Sequence, residues 1–236
     1  MSAVRTLALA SVAVLAACGW RSEGVHMGFS AATAVPGSAR VDASGLHWTA
    51  ADGAELTIHR GWVVVSAIEI FPCPASTLRK VWNELGYGTA WAHTISRPTR
   101  IGEPSAVPAL QEAGMAMPLG TLHPPATEFC RVQVTFAPAD EDAAGLPAEV
   151  EMVGKTLWLD GERSLPPASP EPFHLESAGI QEVAFDVGPW SLDEETQARS
   201  AAVTLTPSRW LDGVDFTSTT PASAALAAVA ASTQVQ

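Results

Sequence analysis

One run, Trp62-Val-Val-Val-Ser-Ala-Ile-Glu-Ile-Phe71, constrains this chain more than any other stretch. β-Branched and aromatic side chains crowd a helical turn but sit well on a pleated sheet, so the run predicts a strand. Its apolar residues do not alternate strictly with polar ones, which suits a strand buried on both faces, as in the middle of a sandwich. Other segments follow the same grammar. Glu128-Phe-Cys-Arg-Val-Gln-Val-Thr-Phe136 alternates, with Cys130, Val132, Val134 and Phe136 assigned to one face. Ile180 to Val187 and Ala201 to Leu205 are further strand candidates.

Turn chemistry separates these runs. Asp52-Gly53, Asp160-Gly161 and Asp212-Gly213 are dipeptides that supply positive φ in tight turns. The first predicts a hairpin joining Leu46–Ala50 to Glu55–Arg60, and the second a hairpin around residues 155–165. The 18 prolines break helices and confine strands to short pieces. The expected fold is all-β: a sandwich or barrel of short, mostly antiparallel strands over residues 45–218. Leu78, Val81, Trp82 and Leu85 have helical spacing after Ser76 and Thr77, and predict a small helical insertion. Residues 18–44, rich in Gly, Ala and Ser, read as a flexible tether, and the Ala-rich residues 219–236 as a frayed or disordered tail.

The first seventeen residues read as a removable secretion signal, with Arg5 ahead of the apolar run Leu7–Leu15 and small residues after it. Leu15-Ala-Ala-Cys18 resembles a bacterial lipobox, in which the cysteine becomes the lipid-modified new N-terminus. Gly19, in place of Asp, implies by the same resemblance an outer-membrane address, with palmitate as the expected label. An ordinary signal cut near Ala17, leaving Cys18 as a thiol, is the alternative. With Cys18 assigned to lipid, Cys73 and Cys130 remain in a disulfide-permissive compartment, and a single bridge is expected. The alternative is a pair of metal-binding thiolates, but neither has a Cys or His at zinc-ligand spacing.

Charge removes one function class. The chain carries a net charge of −12 and two lysines, Lys80 and Lys155, which lacks the cationic footprint that phosphate backbones require. No G-x-S-x-G elbow, H-E-x-x-H or Gly-rich phosphate loop occurs, so no enzymatic activity is expected. A blue-copper ligand order is also missing, because Arg-Val-Gln-Val-Thr-Phe follows Cys130.

Histidine and methionine are the donors that stand out. Trp91-Ala92-His93 would place both side chains on one face of a strand, about 7 Å apart. Met115 and Met117 share that spacing, His123 follows, and His59 precedes Trp62 by three residues. Imidazole suits copper and zinc, while thioether selects Cu(I). The expected metal-binding set is therefore His93, His59, His123, Trp91, Met115 and Met117. His47, beside Trp48, ranks below them.

The lipobox, the His59–Phe71 strand, the Gly120–Phe136 segment and Trp210-Leu-Asp-Gly-Val-Asp-Phe216 together resemble secreted copper-binding proteins of the methanobactin-operon and methanotroph surface type. In that group copper is held by two histidines and a kynurenine, an oxidised tryptophan made by a di-haem partner enzyme. One pattern there sets the modified Trp two residues before a His ligand, and Trp91-Ala-His93 matches it. The resemblance implies a copper-storing or copper-delivering envelope lipoprotein, anchored to the membrane by lipid. The competing expectation is a non-catalytic module that binds an envelope protein or glycan.

Overall fold

The computed structural model describes residues 25–74, 97–111, 115–193 and 197–236. The signal segment, Cys18, the expected helix around residues 76–85, Trp91 and His93 lie outside the described residues.

The fold is an all-β sandwich, as the strand grammar predicts. Among the described residues its thirteen strands are β1 (His26–Thr33), β2 (Ala39–Asp42), β3 (Gly45–Thr49), β4 (Glu55–Pro72), β5 (Arg100–Ile101), β6 (Ser105–Pro108), β7 (Met117–Leu122), β8 (Thr127–Phe136), β9 (Leu157–Ser164), β10 (Glu171–Ser177), β11 (Gln181–Leu192), β12 (Ala198–Leu205) and β13 (Gln234–Val235). They form a four-stranded sheet, β13-β12-β1-β7, and a nine-stranded sheet built on β4. The pairing of β1 with β12 is parallel, and the other strand pairs are antiparallel.

β4 organises the larger sheet because it is 18 residues long. Along one edge it pairs with β9 and then β8, and along the other with β3, β6 and β5. The apolar run at its centre is covered on both faces. Val63 and Val65 enter the main core between the sheets, while Val64 packs in a second cluster with Ala106, Ala139, Ala143, Met152 and Trp158. The main core joins Met27, Phe29 and Ala31 of β1 to Ile58, Ile68 and Ile70 of β4 and Val132, Val134 and Phe136 of β8. Trp48, Trp158, Trp190 and Trp210 are buried, and Trp62 is half-buried.

Cys73 and Cys130 form the expected disulfide, with Cα atoms 4.7 Å apart. It ties the end of β4 to β8. Cys130 nevertheless does not point into the core: it is half-buried, while Phe129 on one side and Val132 beyond it are fully buried. The alternation slips where β8 shifts register against β4, between Phe71 and Pro72. The period-2 reading of the segment holds only from Val132 onward.

Four other expectations are corrected. The region read as a tether contains β1 and β2. Val25, Met27, Phe29 and Ala31 are buried at every second position, and the Gly and Ser between them face outward. The C-terminal region is no frayed tail. Pro221–Ser232 forms a helix, α1, whose Ala225, Leu226, Val229 and Ala230 are buried in the main core. Its low polarity is therefore that of a packing element, and β13 follows it. Asp52-Gly53 makes the predicted β3–β4 turn, with Gly53 at φ +82°. Asp160-Gly161 does not turn: both residues lie inside β9. Asp212-Gly213 turns after a 3₁₀ segment, Pro207–Arg209, rather than in a hairpin. Among the described residues no helix is long and apolar enough to cross a membrane.

Candidate functional site

The reason Gly161 sits inside a strand also explains where His59 stands. Pairing between β4 and β9 jumps from Ile58–Gly161 to Arg60–Asp160, which leaves His59 as the extra residue of a β-bulge. A Cβ on Gly161 would fall on the Thr57 carbonyl and the Phe173 ring. On the opposite side, a Cβ on Gly45 of β3 would fall on the Ile58 carbonyl, and Gly45 has φ +141°. Two glycines on the strands flanking β4 thus make room for the bulged backbone. Ile58 is buried, so His59, the next residue, faces the outer side of the sheet, and the bulge leaves Arg60 exposed beside it.

The imidazole of His59 is then fixed in orientation. Nδ1 stands 2.7 Å from the Ser44 carbonyl, an atom that only accepts, so Nδ1 carries the proton and donates it there. That leaves Nε2 facing Glu162 on β9, with Nε2 and Oε1 3.7 Å apart. The separation is too long for a hydrogen bond. Two donors that share a transition-metal ion at 2.0–2.2 Å each stand roughly 3.4 to 3.7 Å apart at tetrahedral to trigonal angles, so the gap has the width of a shared ion. A ring nitrogen pinned by a backbone carbonyl while the other points outward is also the outer support that metal-ligating histidines use.

His47 lies on the same outer face, opposite Thr57, but its ring is committed. Its Nδ1 is 3.0 Å from the Thr57 hydroxyl, and its Nε2 is 3.0 Å from Asp42 Oδ1 and 2.9 Å from Ser44 Oγ. Ser, His and Asp therefore meet here, yet they do not form an activated nucleophile. Asp42 occupies the nitrogen that would have to accept the serine proton, and Ser44 donates its own hydroxyl to Asp42 at 2.6 Å. The group locks the β2–β3 turn.

Ser44 donates both its hydroxyl and its backbone N–H to Asp42, and with His47 they hold the Asp42 carboxyl far below the usual carboxylate range. The Ala54 amide and Arg163 lower Asp52; Lys155 and then His174 lower Glu176; the Thr217 hydroxyl and amide lower Asp215. A carboxylate whose folded pKa is depressed stabilises the fold fully above its unfolded pKa, and that contribution is lost as pH falls through the folded value. The urea midpoint is thus expected to stay level through neutral pH and to fall progressively below about pH 4. Asp42→Asn should start lower at neutral pH and converge on the parent as the buffer is acidified. Parallel curves for the two proteins over the acid range would contradict this.

The other expected ligands are dispersed. His123 lies just past β7 in the four-stranded sheet, against His26 of β1, with ring centres 4.7 Å apart. Met117 begins β7, six strand steps or roughly 20 Å from His123, so the two cannot share an ion. Its thioether packs against Gly145, and Met115 is 61% exposed. Trp91 and His93 lie outside the described residues. Among the described residues no three His, Cys, Asp or Glu side chains gather into a group that could hold a metal ion. Two donors, Glu162 and His26, escaped the sequence reading. The signal for the first was a lone glycine within a strand pattern, which marks a bulge.

A cleft of about 390 Å³ lies between the β3–β4 turn and the segment after the 3₁₀ turn, with Leu56, Leu211 and Phe216 among its lining residues. Its charges satisfy one another: Arg163 bonds Asp52 at 2.9 Å and stacks over Phe216. No imidazole lines it. In comparisons with known proteins, no family model, curated protein or solved structure matches the chain.

Proposed function

We propose that this protein is a cell-envelope lipoprotein that binds a transition-metal ion, copper first, for storage or delivery and without catalysis. The observation that carries the reading is His59, set in a glycine-flanked bulge, with Nδ1 tied to the Ser44 carbonyl and Nε2 facing Glu162 across 3.7 Å. Imidazole nitrogen and carboxylate oxygen together suit Cu(II) and Zn(II), and Cu(II) stands highest among divalent first-row ions at such donors. Both side chains are open to solvent, which leaves room for water to complete the coordination. The secretion signal, the lipobox at Cys18 and the resemblance to copper-binding envelope proteins support the location and the metal. The disulfide is consistent with an oxidising compartment.

Copper titration of the mature protein tests it. Wild type is expected to bind with micromolar or tighter affinity, and His59→Ala and Glu162→Gln each to weaken binding at least about tenfold, or 1.4 kcal/mol. Titration curves that superimpose for all three proteins would remove the reading.

A second reading, a module for an envelope protein or glycan, draws on the outer face of the nine-stranded sheet. There the half-buried Trp62 leans on Trp158 at 5.6 Å, with Arg60 and His174 packed against Trp158. It requires binding that is indifferent to metal.

A further inference from the structure

We infer that His26 and His123 form a cross-strand chelate for a divalent late transition-metal ion, and that loading it clips the first strand of the domain to β7. This is a second site, and it stands or falls separately from His59.

The sheet register carries the argument. β1 and β7 run antiparallel with Met27 opposite Leu122, and both of those side chains are buried. Alternation turns the next pair along, His26 and His123, to the opposite, outward face. Directly opposed residues on antiparallel strands hold their Cβ atoms about 4.5–5.5 Å apart, so the backbone has already placed the second imidazole for whatever ion the first one captures. The two rings do meet, edge to face, with centres 4.7 Å apart and planes at 80°. Rings that share one ion at about 2.0–2.1 Å per nitrogen have centres roughly 4 to 6 Å apart. The change from contact to chelation therefore needs side-chain rotation and no movement of the backbone.

The surroundings leave space for that rotation. On the other flank of His26, the small residue Ala198 of β12 stands opposite it. His26 is half-buried and His123 exposed, so water can reach the ion and fill its remaining positions. Two imidazoles, joined by no third His, Cys, Asp or Glu among the described residues, make a donor set for Cu(II), Ni(II) or Zn(II) rather than for Ca²⁺ or Mg²⁺.

The mechanical consequence follows from position. His26 is the first residue of β1, and β1 lies between β12 and β7 in the four-stranded sheet. Any opening of that sheet from the N-terminal side begins with His26 leaving its neighbours. An ion shared with His123 adds two coordinate bonds at that point, so fraying of β1 would first require loss of the metal.

Zn²⁺ is the probe, since it brings no redox chemistry. The full mature chain is heated with and without Zn²⁺, and amide hydrogen exchange is followed in β1. At a hundredfold excess over Kd the melting midpoint is expected to rise by roughly 5 to 10 °C, with slower exchange at Met27 to Ala31. In a His59→Ala background, where the first site takes no ion, both effects should remain, and adding His26→Ala or His123→Ala should abolish them. Circular dichroism before heating checks that each variant is folded, and His123→Gln provides a polar replacement if alanine disturbs the strand end. A midpoint that does not move in wild type overturns the inference. So does a rise that survives His26→Ala in the His59→Ala background, or one that disappears with His59→Ala alone, which would place the ion at the other site.

Discussion

Replacing Cys73 and Cys130 together by serine is expected to lower the unfolding free energy by about 4 kcal/mol, the chain-entropy value for a loop of this size. The bridge spans a sequence separation of 57 residues, which includes the undescribed residues 75–96. Without it the denatured chain regains the freedom of that long loop, while β4 and β8 keep their own pairing in the folded state. A stability of 5–15 kcal/mol is ordinary for a domain, so this loss is a large share of the whole. Urea unfolding of the oxidised, reduced and double-serine proteins measures it. Reduced and double-serine proteins should agree with each other, and a difference from the oxidised protein under about 1 kcal/mol would show that the loop is already constrained when unfolded.

The second large effect concerns the C-terminal helix. Leu226→Ala is expected to cost roughly 2–5 kcal/mol, the range for removing a buried leucine side chain. Leu226 is 1% exposed, packs against Gly179 between β10 and β11, and belongs to the main core with Val229 and Ala225. A loose alanine-rich tail would give no change at all. Chemical denaturation of Leu226→Ala beside Ala227→Ser, an exposed position on the same helix, separates the two cases. Equal stabilities would return the segment to a tail.

The helix shows where reading the sequence ran out. Alanine carries almost no hydrophobic contrast between faces, so Pro221–Ser232 has no visible apolar stripe. Only the groove it docks into reveals which of its residues are buried. β1 failed for a related reason. After His26 its outward residues are Gly, Ser and Ala, which resemble linker composition, although Met27, Phe29 and Ala31 at period two held the signal. By contrast the long apolar run of β4 was legible because β-branched side chains declare a strand with little help from context.

The candidate site was legible in part. His59 and His123 were singled out as donors, but each finds its partner on another strand: Glu162 for the first, and His26 for the second. Local spacing cannot show such pairs, because cross-strand neighbours depend on register. The Asp-Gly dipeptide at 160–161 misled outright. It has the composition of a turn, and the structure uses its glycine for close backbone approach at the His59 bulge.

From sequence alone came the all-β class, the central strand, the first hairpin and the choice of Cys73 with Cys130. These rest on local backbone preference and on counting thiols, neither of which needs the rest of the chain. Tertiary structure decided the two-sheet division, the burial of β1 and of α1, and the partners of the described histidines. Those features depend on which strands lie side by side and in what register. A shift of one residue reverses every side chain, so the donors that face one another are a property of the assembled sheets.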